Sequence, residues 1–148
     1  MSYLETKRNA IMNSVSGGIS NLLDGVEYLE DYFINSSGVI TPNPTPETKV
    51  IVFDYIEIEP NARYIYRDIF DTSQLQYTHY AMYDENKNLL GTRTTIVNSV
   101  NADKHSAILT VTNASAKYIR LNPRTFGDIG VGLYKLDDID LPTINISY

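Results

Sequence analysis

The hydrophobic pattern changes period once along the chain. Between Tyr3 and Phe33 the apolar residues Met12, Val15, Ile19, Leu22, Val26, Leu29 and Phe33 are separated alternately by three and four positions. An a/d stripe of this kind predicts an N-terminal α-helix with one apolar seam. Arg8 interrupts the seam where it is extended backwards, and Gly17, Gly18 and Gly25 each weaken a helix by roughly 1 kcal/mol relative to Ala. Such a helix is marginal alone in water and needs a partner surface. Its own domain or copies of itself would serve, and the narrow, regular stripe favours copies. The Gly17-Gly18 pair marks either a kink or a break into two shorter helices.

Asn35-Ser36-Ser37-Gly38 then reads as a helix stop and turn. Thr41-Pro42-Asn43-Pro44-Thr45-Pro46 alternates proline with small polar residues, which fits an extended linker or an edge segment. A short strand over Gly38 to Thr41 is compatible with this reading.

From Val50 onward the period is two. Val50 to Phe53 is a short apolar run, and Ile56 and Ile58 alternate with Glu57 and Glu59. Pro60-Asn61 closes that strand, Tyr64 to Tyr66 begins another, and Asp68 to Ser73 reads as a loop. Gln74 to Tyr83 carries aromatics on both alternating faces, which predicts a central strand covered on two sides. Asp84 to Asn88 supplies turn chemistry, and Leu89-Leu90-Gly91 returns the chain. Thr92 to Val97, Ile108 to Val111, Tyr118 to Leu121, Val131 to Leu136 and Thr143 to Tyr148 complete about eight short strands separated by close turns. That spacing predicts a mainly β sandwich or barrel. The expected organisation is a helical oligomerisation or attachment segment over 1–36, a Pro-rich linker over 37–49, and a β-body over 50–148.

Composition sharpens this picture in three places. The chain holds 12 Tyr against 4 Phe and no Trp, which suits half-buried sheet faces and contact surfaces alike. A net charge of −6 argues against a general grip on nucleic acid. The absence of Cys excludes disulfides, thiolate nucleophiles and Cys-based metal sites. The start shows no apolar run of signal-peptide length, and nothing later is long enough to span a bilayer; a protein made in a cytoplasm, with no visible export route of its own, is expected.

Three stretches resemble one known module. Asp54 to Tyr64, DYIEIEPNARY, looks like the opening strand and turn of carbohydrate-binding-like jelly rolls in phage tail and baseplate proteins. Tyr80 to Gly91, YAMYDENKNLLG, is similar to their central hairpin, and Asn113 to Arg120, NASAKYIR, to a later strand. The resemblance covers roughly residues 50 to 136. Asn61 stands where glycine is usual, and Ser115-Ala116 where Asn-Ala is common; Asn tolerates the turn geometry. The resemblance implies a jelly-roll β-sandwich, a virion location and other virion proteins as partners. It also implies an N-terminal helix that docks the module or trimerises.

Candidate chemistry is sparse. His79 and His105 share no metal-ligand spacing, and a structural or solvent role is expected for both. Asp84-Glu85-Asn86 and Asp137-Asp138-Ile139-Asp140 lack a full calcium-loop pattern and read as turn and solvated acidic run. No motif points to a paired-carboxylate glycosidase. Neither enzyme activity, metal nor cofactor is expected. Asn113-Ala114-Ser115 and Asn145-Ile146-Ser147 match glycosylation acceptors but mean little without an export signal. A sugar contact would use Tyr64, Tyr66, Tyr77, Tyr80, Arg93, Arg120 and Arg124, against the alternative that these tyrosines pack the sheet, that Arg93 and Arg120 cover strand edges, and that Arg124 is simply exposed. Two functions remain: a virion structural protein of tail, baseplate or head, and a host-surface adhesin whose jelly roll binds a wall glycan.

Overall fold

The computed structural model describes residues 20–45, 47–70, 74–96, 104–125 and 130–136. Eleven short strands are formed there: β1 (Tyr28–Glu30), β2 (Tyr32–Ile34), β3 (Ile40–Pro42), β4 (Ile51–Phe53), β5 (Ile56–Glu57), β6 (Arg63–Asp68), β7 (His79–Tyr83), β8 (Leu89–Thr95), β9 (Ser106–Thr110), β10 (Tyr118–Asn122) and β11 (Val131–Lys135). A 3-10 turn, Leu75–Tyr77, precedes β7.

Two antiparallel sheets face one another. One has the order β5-β10-β7-β8 and the other β11-β6-β9. From β5 onward the chain changes sheet at every connection except the β7–β8 hairpin, so each sheet is built from strands distant in sequence. The alternation read in the sequence explains the layers. Ile119 and Leu121 of β10, with Tyr80 and Met82 of β7, face inward. They meet Tyr64, Tyr66, Ala107, Leu109, Val131 and Leu133 from the opposite sheet. Burial of these apolar surfaces is the main force holding the sandwich together. As expected, β7 is a central strand apolar on both faces: Ala81 and Tyr83 point outward into a smaller cluster with Ile34 and Val52. Asn61, in place of a turn glycine, adopts φ +65°.

The helix expected over residues 3–33 does not form in its described portion. Residues 22–25 make a turn, and β1 and β2 follow. Gly25 at φ +77° and Asp31 at φ +60° lie outside helical backbone space, and pairing of β1 with β4 and of β2 with β3 supplies the hydrogen bonds instead. The seam therefore disperses. Leu22 and Val26 pack against the sandwich core, Leu29 is 42% exposed, and Phe33 is half-buried elsewhere. Here local helical spacing lost to long-range strand pairing. Met12, Val15 and Ile19 lie outside the described residues.

The proline-rich stretch is not an extended linker. Ile40–Pro42 is β3, and Asn43 folds the next residues into a turn. Its amide donates to the carbonyls of Thr45 and Thr48 and accepts from the Thr45 N–H. Gly38, at φ +84°, lets the β2–β3 hairpin close over Leu89; a Cβ there would lie 2.7 Å from a Leu89 methyl. Residues 28–53 thus belong to the same folded body as the sandwich. The strand expected over Thr143 to Tyr148 and the acidic run Asp137, Asp138 and Asp140 lie outside the described residues. Among the described residues no helix is long and apolar enough to cross a membrane.

Candidate functional site

The outer face of the four-stranded sheet collects the polar chemistry. Alternation along β10 turns Tyr118, Arg120 and Asn122 outward, and the register with β7 places them beside Tyr83, Ala81 and His79. The β2–β3 hairpin lies across the middle of this face. Buried Asn122 holds it there: its carbonyl oxygen accepts from the Ile34 N–H at 3.0 Å, and its amide donates to the Ile51 carbonyl at 2.9 Å. Arg93 adds a bond to the Ile34 carbonyl at 3.1 Å.

At one end of the hairpin an open depression of about 190 Å³ remains, lined by Phe33, Asn43, Pro44, Thr45, Val50, Tyr77, His79, Asn122 and Arg124. Tyr77 comes from the 3-10 turn that shortens the expected strand; its ring is 43% exposed. The Arg124 guanidinium lies 4.0 Å from the centre of that ring. An isolated bridge between Val50 and Arg124 fixes the backbone below. The His79 Nδ1 lies 2.9 Å from the Thr95 hydroxyl, which leaves Nε2 for another partner. Partial burial, then the positive charges of Arg93 and Arg124, hold the His79 imidazolium below its ordinary range, so the ring is neutral at pH 7. Asn43 and Asn122 shape the rim but have spent their amides on backbone. The groups available to a ligand are the Tyr77 ring and hydroxyl, the Arg124 N–H edge and the His79 Nε2.

An exposed ring beside fixed hydrogen-bond donors suits a polyol. The apolar C–H face of a sugar packs on the ring while its hydroxyls accept from the guanidinium and exchange with the imidazole. The seven residues expected at a sugar contact divide on these grounds. Tyr77 and Arg124 meet in the depression. Arg93 borders it electrostatically but is committed to the hairpin. Arg120 lies further along the same face, its Nε donating to the Phe53 carbonyl at 2.8 Å. Tyr64 and Tyr66 are buried between the sheets and offer no surface to a ligand. The Tyr64 hydroxyl instead accepts the Glu59 N–H, and burial pushes the Tyr66 hydroxyl far above its ordinary pKa. Tyr80 packs against the inner core. A structural or solvent role was expected for His79; it lines the depression because the register sets it opposite Asn122, two residues before Arg124. No sequence motif carries that pairing.

Other polar groups are mutually engaged. A wider hollow of about 420 Å³ lies beside Pro60, Asp84, Glu85, Asn86, Ser115 and Lys117. Asp84 accepts from the Asn86 and Asn88 N–H groups and the Asn88 amide, and these bonds, the Asn88 N–H first, keep its carboxyl below the usual range. That is turn chemistry, as its sequence suggests. Lys117 is bound to Glu57 at 2.7 Å. His105 sits 2.6 Å from buried Asp68, which also accepts the Gln74 N–H. Among the described residues no three His, Asp or Glu side chains are grouped to hold a metal ion.

No family profile and no curated protein matches the chain. Among solved structures, a fucose-binding module of Streptococcus pneumoniae aligns over 79% of this chain and 97% of its own, with 13% identity and a TM-score of 0.44. The K3 and K1 cleaved adhesin domains of Lys-gingipain from Porphyromonas gingivalis each align over 74% of this chain. They show 14% and 17% identity, TM-scores of 0.26 and 0.23, and coverage of 71% and 70% of their own lengths.

Proposed function

We propose that the protein is a non-enzymatic glycan-binding module, carried on a bacteriophage virion assembled in the host cytoplasm, that contacts sugars of the bacterial surface. The observation behind the binding role is the depression at Tyr77, His79 and Arg124. There an exposed aromatic ring, a guanidinium edge and a neutral imidazole converge in an open hollow. Hydrogen-bond donors next to an aromatic plane hold polyols reversibly and with modest affinity, which suits a particle that binds through many copies. The virion setting draws its support from the sequence resemblance of residues 54–64, 80–91 and 113–120 to phage jelly rolls.

The test is a glycan array of bacterial surface polysaccharides probed with the full chain and with Tyr77→Ala. Binding by the parent that weakens roughly two- to tenfold in the variant is the expected result, since one aromatic platform is worth roughly 0.5–1.5 kcal/mol of contact. Equal binding by both proteins would displace the site from the depression. No binding by either would leave a structural virion role in its place.

A further inference from the structure

The cations of this acidic chain are not used alike. Lys117 and Lys135 each hold a glutamate, Glu57 at 2.7 Å and Glu59 at 2.8 Å. Lys87, Arg93, Arg120 and Arg124 have no carboxylate within ion-pair distance among the described residues. They rest instead on aromatic rings or backbone carbonyls, and all four border the outer face of the four-stranded sheet. A protein with net charge −6 thus places four cations without a carboxylate partner along one face.

At the end of that face away from the depression, Tyr55, Tyr83 and Tyr118 form an edge-to-face cluster. Tyr55 is 5.0 Å from Tyr83 and 5.8 Å from Tyr118, centre to centre. Two cations sit on it. The Lys87 Nζ lies 4.7 Å from the Tyr55 centre and 5.6 Å from that of Tyr118, and the Arg120 guanidinium 4.7 Å from Tyr55. The Arg120 Nε is tied to the Phe53 carbonyl, so the guanidinium is fixed while its terminal N–H edge has no partner among the described residues. The three phenol hydroxyls are likewise uncommitted there. Nearby carboxylates do not cancel the charge by contact: Asp84 is engaged by its turn, Asp54 accepts the Tyr55 N–H, and Glu85 is exposed. Two positive charges already in place exclude a cationic guest and favour an oxyanion.

The spacing links this cluster to the depression. Arg120 and Arg124 are four residues apart along one row, about 13 Å at the rise of a strand, with the β2–β3 hairpin seated on Asn122 between them, so one glycan reaches both ends by passing over the hairpin. We propose that Tyr55, Tyr118, Lys87 and Arg120 form a second anchor that takes an oxyanion substituent (carboxylate, sulfate or phosphate ester) of the same glycan held at Tyr77. The ligand is then an acidic polysaccharide. The inference rests on the binding role proposed above for the depression.

The experiment titrates the full chain with oligogalacturonides, heparin oligosaccharides and poly(glycerol phosphate), with carboxyl-reduced oligogalacturonide as the neutral control. Lys87 is exposed in a turn, so Lys87→Glu folds; its thermal unfolding is followed alongside. Binding of at least one acidic series, weakened about tenfold by K87E and by added salt with the neutral control unaffected by K87E, is expected. The series that binds identifies the oxyanion. Failure of all three series, or K87E binding the acidic ligand as the parent does, overturns the second anchor. An oligonucleotide bound as tightly at equal ionic strength overturns the polysaccharide assignment. Tyr77→Ala separates the two readings. Loss of neutral and acidic binding together, with K87E silent, leaves the depression and removes the anchor. Acidic binding that survives Y77A but not K87E leaves the anchor and removes the depression.

Discussion

The two faces of β10 divide stability from recognition within five residues. Ile119 and Leu121 point inward and are 2% and 0% exposed. Tyr118 and Arg120 point outward, half-buried, among rings and uncommitted donors. Both sets obey the same period of two, so the strand presents a packed layer and a chemical surface with no change of backbone. The comparison predicts that substitutions one residue apart act on different quantities.

The sharpest contrast comes from Leu121→Ala. It removes a fully buried side chain from the middle of the inner layer and is expected to cost about 2–5 kcal/mol in denaturant unfolding. A cost near that of a surface change would break the division outright. Asn122→Ala tests the boundary from the other side. Asn122 faces outward, yet it is 2% exposed and bonds both the Ile34 N–H and the Ile51 carbonyl. Its loss strands two backbone groups under the hairpin, with an expected cost of about 1–3 kcal/mol. The hairpin itself should loosen, seen as faster amide exchange at Ile34 than at Leu121. Equal exchange rates would mean that Asn122 does not hold the hairpin.

The inner layer was largely legible in the sequence, and the outer face was not. Alternation at Ile56, Ile58, Ile119 and Leu121 names core positions directly, because burial on one face leaves a period that can be counted, whereas Tyr80, a candidate sugar contact in a stretch aromatic on both faces, packs inside. The front of the chain misled for the same reason. Val26, Leu29 and Phe33 fit helical spacing, but Gly25 and Asp31 sit at positive φ and β1 pairs with β4, residues 51–53. Such pairing is set by contacts that local periodicity does not contain. The tyrosines show the limit most plainly. Nothing in composition separates Tyr66, which is sealed in the core, from Tyr77, which is 43% exposed. Tyr77 and Arg124 were both candidates, but their stacking, and His79 beside them, depends on the register of β10 against β7.

Tyr77→Ala belongs lower on the scale of stability. The ring is partly exposed and its contact with Arg124 is worth about 0.5–1 kcal/mol, so unfolding should shift by no more than about that amount. A loss comparable to that of L121A would make Tyr77 a packing residue and remove the reason to place recognition at this end of the sheet.

The smallest effect is a pH dependence carried by His79, and it sharpens the comparison by reporting the charge of the outer face. Burial, Arg93 and Arg124 hold the imidazole below its usual value, while in the unfolded chain it titrates near its ordinary value of about 6.5. Between the two values the unfolded chain binds more protons than the folded one. Stability therefore rises with pH through this window, and falls as pH drops below the unfolded value. His79→Asn keeps a partner for Thr95 without the titration, so the difference in pH slope between parent and variant isolates the imidazole. An identical slope would mean that neither burial nor the two arginines lower the imidazole there. The second anchor holds the anion about 13 Å from Arg124, beyond the screening length, so the His79 titration, followed by imidazole NMR, should move no further with an acidic oligosaccharide bound than with the carboxyl-reduced ligand. An upward movement confined to the acidic ligand would place its negative charge beside Arg124 rather than at the far end of the row.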